Sequence, residues 1–226
     1  MKRLILFCAA FHLFLAAAFA APCYGTKMPE KNGFFSGAQT HVILKRYLED
    51  GHGKVRSSQH FLLLSYGITD WLSLDLKGGA GNIKQHPVTS DEIDYSSSFA
   101  GGYGLRLKVY EAQKSAVVFG FQHISVHPQK THLGGRKHAA ILDDWQFSLL
   151  ASYGVGGLLP YAGIKWSRLD YIHKVEEDRK RRMSDLTKDI GVVIGCDVPL
   201  GQKIWLNLEG QFLDTEAFAV SLNFGF

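Results

Sequence analysis

From Phe34 onward, apolar and polar residues alternate with a period of two, in segments of roughly 10–15 residues separated by turn signals. The segment from Tyr95 to Val109 is the clearest. One face carries Tyr95, Phe99, Gly101, Tyr103, Leu105, Leu107 and Val109, and the other carries Ser96, Ser98, Ala100, Gly102, Gly104, Arg106 and Lys108. Strands of soluble sandwiches are usually about 5–6 residues long. A strand crossing a bilayer needs about 9–11 residues and can project beyond it. Similar alternation sets Leu72, Leu74 and Leu76 against Ser73, Asp75 and Lys77, and Trp145, Phe147, Leu149, Ala151 and Tyr153 against Gln146, Ser148 and Ser152. The pattern predicts ten strands, near 34–48, 56–68, 72–84, 95–110, 115–126, 140–154, 161–172, 186–198, 203–213 and 217–226. The first strand has mixed phase, and the polar face swaps around Trp166 to Asp170, which suggests a bulge or the end of the membrane zone.

The connections after strands two, four, six and eight are tight, those after three, five and seven are long and polar, and those after one and nine are short to moderate. Transmembrane barrels have short periplasmic turns and longer external loops. The expected fold is therefore all-β: a transmembrane antiparallel up-and-down β-barrel of about ten strands, with eight or twelve surviving a miscounted hairpin. Composition agrees: 24 glycines and 12% aromatic residues accompany only 6 prolines. No stretch after the N-terminus approaches the about 20 consecutive apolar residues of a spanning helix.

The N-terminus is a separate object. Lys2 and Arg3 precede an apolar run from Leu4 to Phe19, and Ala18-Phe19-Ala20 has the small-x-small form of a cleavage site. Residues 1–20 are expected to be a cleaved signal peptide, with cleavage after Ala20 or Ala21. Residues 21–33 are expected to be a periplasmic linker, and 34–226 the barrel. Losing Lys2 and Arg3 lowers the formal charge from +4 to +2, too weak to argue for nucleic acid. Cys23 and Cys196 remain in an oxidising compartment, where either one disulfide or two thiols is allowed.

At the other end Phe218, Val220, Leu222, Phe224 and Phe226 alternate with Ala219, Ser221, Asn223 and Gly225. This terminal amphipathic strand resembles the assembly signal of bacterial outer-membrane β-barrels. The phrases Tyr66-Gly67-Ile68-Thr69-Asp70-Trp71-Leu72-Ser73-Leu74 and Leu159-Pro160-Tyr161-Ala162-Gly163-Ile164 resemble the small outer-membrane barrel family that includes opacity-type proteins. The resemblance implies a Gram-negative outer-membrane location and, as partners, outer-membrane lipid, lipopolysaccharide and the barrel-assembly machinery. It implies far less about activity.

Asp75, Lys77, Arg106, Lys108, Lys165, Asp189, Glu209, Asn207, Gln146 and Gln211 are expected to face the lumen. A barrel of this size is about wide enough for side chains to fill it, so a plugged lumen is expected over a narrow ion path. Trp71, Tyr153, Tyr161, Trp166 and Trp205 fall near strand ends and suit interfacial girdles.

Three chemistries have candidate residues in the sequence. His123-Ile124-Ser125 places His and Ser on one face of a strand, resembling the catalytic pair of outer-membrane lipid A deacylases. Asp143 and Asp144 are candidates for the orienting acid, with Asp144 preferred. The residues after Ser125, Val126-His127-Pro128, depart from that family. Omptin-type proteolysis would use Asp143-Asp144 and Asp170 with His173, although positions three apart point to opposite faces of a strand. Metal binding would draw on His52, His86, His127, His132, His138 and His173, all in or beside external connections, yet no tight ligand motif is present and no metal or cofactor is expected. The basic loop residues Lys130, Arg136, Lys137, Arg179, Arg181 and Arg182 suit contact with lipopolysaccharide phosphates. The expected role is non-enzymatic: structure or surface interaction through the loops, including contact with an extracellular ligand. The alternatives are a deacylase-like hydrolase at His123 and Ser125, and a narrow channel.

Overall fold

A computed structural model describes residues 25–226. The expected signal peptide and Cys23 lie outside the described residues. Twelve strands form one antiparallel sheet: β1 (Phe34–Tyr47), β2 (Lys54–Gly67), β3 (Leu72–His86), β4 (Ile93–Glu111), β5 (Ser115–Val126), β6 (Thr131–Leu133), β7 (Arg136–Tyr153), β8 (Leu159–Val175), β9 (Asp178–Met183), β10 (Ile190–Pro199), β11 (Ile204–Phe212) and β12 (Glu216–Gly225). Ten of them close a ring through successive neighbours, with β5 against β7, β7 against β8, β8 against β10, and β12 back against β1. The short strands β6 and β9 extend the ends of β7 and β8 as hairpins. Neither was expected from the sequence, because both lie within charged, turn-rich stretches. The eighth barrel strand starts at Ile190 rather than 186, since a 3-10 turn at Leu186–Lys188 precedes it.

The burial pattern is inside out. On β2, Leu62 is 73% exposed on the outer wall while its neighbour Leu63 is 3% exposed inside. The outer wall carries a continuous apolar band that includes Leu64, Leu74, Leu76, Leu149, Ile164, Ile194, Leu208 and Phe218. The inner wall buries Asp75, Lys77, Arg106, Gln146, Lys165, Asn207, Glu209 and Gln211. Closure pairs each of the ten barrel strands on both sides, so backbone amides need no solvent inside the apolar band. This is the arrangement of a transmembrane barrel.

The lumen is filled in two storeys. The lower one, towards the tight turns, is polar. Arg106 binds Asp75 through Nε at 3.0 Å and Nη2 at 2.8 Å. Tyr161 donates to Glu209 at 2.9 Å, Asn207 donates to Asp197 at 2.8 Å, and Lys165 donates to Gln211 at 2.7 Å. Tyr161 lies flat across Gly195, where an added Cβ would fall 2.2 Å from its ring, so glycine is required there. The upper storey is a dry core of Leu48, Val55, Ile83, Tyr95, Ile124, Val126, Leu142, Leu169 and Tyr171. Here the wall is uneven. β10, β11 and β12 are 9–10 residues long, whereas β2 to β5, β7 and β8 have 12–19. Above the short strands β1 meets the end of β9 directly, through the bridge Leu48–Ser184 and the bond from Asp185 N–H to Tyr47 O at 3.1 Å.

Arg46 pins this junction. Its Nη1 lies 2.7 Å from Asp214 Oδ2 and 2.9 Å from Ser167 Oγ, and its Nη2 donates to Ser167 O and Ser184 Oγ, both at 2.9 Å. Lys165 Nζ reaches the same Asp214 oxygen at 2.9 Å. At the turn end, residues 25–32 cross the barrel mouth rather than hanging free. Thr26 is buried, Lys27 O accepts from Arg106 at 2.6 Å, Lys27 Nζ sits 3.8 Å over the Trp205 ring, and Asn32 N–H donates to Gly67 O.

Two bulges account for the phase errors on β1 and β4, whereas β8 keeps an unbroken register with β7 from Tyr161 to Val175, so no bulge lies at Trp166 to Asp170. One between Ile43 and Arg46 explains the mixed phase of β1. The other, between Gly81 and Ile83 opposite Ser98 and Tyr95, turns Tyr95 inward, away from the outer face expected for it. Tyr161 and Trp205 are interior residues, not girdle residues, because they anchor the polar network and the N-terminal segment. Asp189 is not luminal: it accepts from the outward Trp166 Nε1 at 2.8 Å. Lys108 is only partly buried and pairs with Glu111 near the turn end.

Candidate functional site

The polar outward positions gather where β5 and β7 rise past the apolar band. Outward residues on β5 run Val117, Phe119, Phe121, His123, Ser125, so the wall changes from apolar to polar at His123. The register sets Ser125 opposite Asp143 and His123 opposite Trp145. Ser125 Oγ donates to Asp143 Oδ1 at 2.5 Å and lies 2.8 Å from His127 Nε2. His123 Nε2 is 3.8 Å from the same Asp143 oxygen. The His123 ring packs 4.2 Å from Trp145 and 5.1 Å from Tyr103, centroid to centroid.

His123 and Ser125 thus share a face, as expected, and a carboxylate stands beside them. Two of the sequence assignments change. Asp144 cannot be the acid, because it points into the lumen and accepts from Gln146 at 2.6 Å. Its neighbour Asp143, one residue away and on the opposite face, takes that place. The imidazole touching Ser125 is that of His127, not His123. His127 lies just past the end of β5, held there by its N–H bond to Phe99 O. A serine has one hydroxyl proton. While it points at Asp143, His127 Nε2 must be the donor to Ser125 Oγ; in the other tautomer His127 accepts that proton and becomes the base.

Beside this cluster, Trp145, Phe147, Trp166, Arg168, Asp170 and Arg181 line an open groove of about 350 Å³ on the outer wall. Asp170 pairs with Arg181 and lies 3.6 Å from Arg168 Nε. Arg181, one of the candidate phosphate contacts, has its guanidinium paired with Asp170. Lys130, Arg136, Lys137 and Arg179 are exposed at the loop end, and Arg182 is partly so. The omptin-like pairing does not assemble: Asp170 faces outward to the two arginines, while His173 faces the inner rim.

Of the six rim histidines, two come together. His138 Nδ1 and His173 Nε2 are 3.0 Å apart across β7 and β8. Burial, the neighbouring His138 and Lys180 hold His173 below the ordinary imidazole range. Cys196 has no disulfide partner among the described residues.

The chain matches no protein-family model, and no curated protein matches it. Solved structures similar to it include the transport unit of the autotransporter AIDA-I from Escherichia coli, at 13% identity and a TM-score of 0.44 over 90% of this chain and 93% of that one. An outer membrane channel from Pseudomonas putida F1 aligns at 10% identity and a TM-score of 0.46, over 88% of this chain and 97% of the other. The attachment invasion locus protein Ail of Yersinia pestis aligns at 7% identity and a TM-score of 0.41, over 88% and 97%.

Proposed function

We propose that the chain is an outer-membrane protein that works from its outer wall and loop-end cap rather than by conducting solutes. The observation that carries this reading is the filled lumen inside an apolar-walled barrel. The gap among His41, Arg46, Asp144, Lys165 and Gln211 has no room for a water molecule. Above it sits an apolar core, and below it the N-terminal segment crosses the mouth. In this reading the tight turns face the periplasm and the β6–β7 and β8–β9 hairpins face outward. The alternating outward side chains of β12, from Phe218 to Phe226, serve assembly, and Lys130, Arg136, Lys137, Arg179 and Arg182 meet lipid phosphates. The test is fractionation followed by gel mobility of unboiled and boiled samples, then planar-bilayer recording. A heat-modifiable membrane protein without conductance is expected. A soluble periplasmic protein, or steady ion currents, would overturn the reading.

The contact among Ser125, His127 and Asp143 favours a second reading, in which the outer wall hydrolyses an acyl ester of a neighbouring lipid. Ser125 would be the nucleophile and His127 the base, with Asp143 a nearby carboxylate that orients Ser125 by accepting from its hydroxyl in the resting arrangement. The backbone N–H of His127 is already bonded, so a donor to an oxyanion would come from a side chain, and His123 shares the outward face of β5 with Ser125. Loss of fatty-acid release in Ser125→Ala, against unchanged membrane insertion, is the supporting result.

A further inference from the structure

We propose that His138 and His173 form a two-histidine site for a borderline divalent transition metal, Zn2+ or Cu2+, at the loop end of the barrel. The two nitrogens, Nδ1 of His138 and Nε2 of His173, already stand 3.0 Å apart. Two nitrogens bound to one tetrahedral zinc at about 2.0–2.1 Å are separated by about 3.3 Å, so a small ring rotation converts the hydrogen bond into a chelate. The rings are placed by strand register, not by a mobile loop. Ala140 pairs with His173 and His138 pairs with Val175, which sets the two imidazoles on a diagonal of the β7–β8 ladder.

The surroundings hold them in place. His173 stacks 6.0 Å from Tyr171 and lies edge-on 6.4 Å from Tyr95, both buried in the dry core beneath. Both histidines are only partly buried, so an ion and its waters have a way in. Lys180 lies opposite His173 on β9, and Asp178 lies nearby. Imidazole nitrogen prefers Zn2+ and Cu2+ over the oxygen-seeking Mg2+ and Ca2+. Among the described residues no group of three or more His, Cys, Asp or Glu side chains converges. The metal would therefore hold two protein ligands and complete its shell with solvent. Bound there, it ties β7 to β8 above the membrane, where the hairpins have no lipid to support them.

The experiment is calorimetric titration of ZnCl2 and CuCl2 into the full barrel, refolded in detergent and carrying no histidine tag, with CaCl2 as control. One saturable equivalent of Zn2+ and of Cu2+ is expected, and none of Ca2+. His138→Asn and His173→Asn are each expected to weaken binding by at least about tenfold, in keeping with the sensitivity of metal sites to their supporting groups. His132→Asn, on the neighbouring strand, leaves binding unchanged. On the unmutated protein, Zn2+ is expected to protect His138 and His173, and not His132, from diethyl pyrocarbonate, and Cu2+ to show spin coupling to two nitrogens. Absence of saturable binding, equal labelling with and without Zn2+, or undiminished affinity in the double variant would overturn the proposal.

Discussion

The guanidinium of Arg46, at the top of β1, closes on the carboxylate of Asp214, in the β11–β12 turn, at 2.7 Å and with both side chains almost wholly buried. With Lys165 on the same oxygen, one carboxylate faces two cations at the point where the short wall ends. Asp214→Ala would strand both charges. It is expected to lower the unfolding free energy by about 3–5 kcal/mol, the usual cost of breaking a buried pair. The urea midpoint of the refolded barrel, followed by gel mobility, measures this. Glu216→Gln removes only a rim pair with Lys45 and is expected to shift stability by less than about 1 kcal/mol.

The two-storey lumen predicts that unplugging the lower mouth does not open a pore. A barrel beginning at Lys31 lacks the carbonyl of Lys27 over Arg106 and the amine over Trp205. It is expected to be less stable but still silent in a planar bilayer, because the apolar storey remains above. Conductance in that variant would show that the N-terminal segment alone seals the barrel.

Outward and inward leucines should respond differently to substitution. Leu62 faces outward in the apolar band and Leu142 lies in the upper core. Leu142→Ala is expected to cost about 2–5 kcal/mol as a core cavity. Leu62→Ala creates no cavity and should cost far less. Leu62→Arg, by contrast, is expected to cost up to about 2–4 kcal/mol in lipid, depending on depth. Similar losses for Leu62→Ala and Leu142→Ala would contradict the assignment of faces.

If the outer-wall cluster is an esterase, His127→Ala should abolish fatty-acid release as fully as Ser125→Ala, since these groups act as a unit. His123→Ala should leave a residual rate, and Asp144→Asn, whose side chain lies inside the lumen, should leave the rate unchanged. Mass spectrometry of lipids co-incubated with each variant in vesicles, Asp143→Asn included, reads the release. If Asp144→Asn abolished release while Asp143→Asn did not, the assignment of the acid would be wrong.

The sequence by itself determined a barrel of about ten strands, the tight connections at one end, and which residues on most strands face outward. A barrel wall is a local object: a side chain points in or out by the parity of its position, so Leu72, Leu74 and Leu76 declare their face without knowledge of their neighbours. Only the tertiary structure decided what parity cannot carry across a bulge or a strand end. The bulge before Arg46 turned that residue inward to Asp214, 168 residues away. The bulge near Tyr95 moved it from the outer wall to the core. Asp143 and Asp144 are indistinguishable as letters, and the β5–β7 register alone chose which one meets Ser125. His127 and the pair His138–His173 became neighbours of other groups through chain that had left the alternating pattern or extended past the membrane band. In those places closure of the barrel, rather than hydrophobic period, sets the distances.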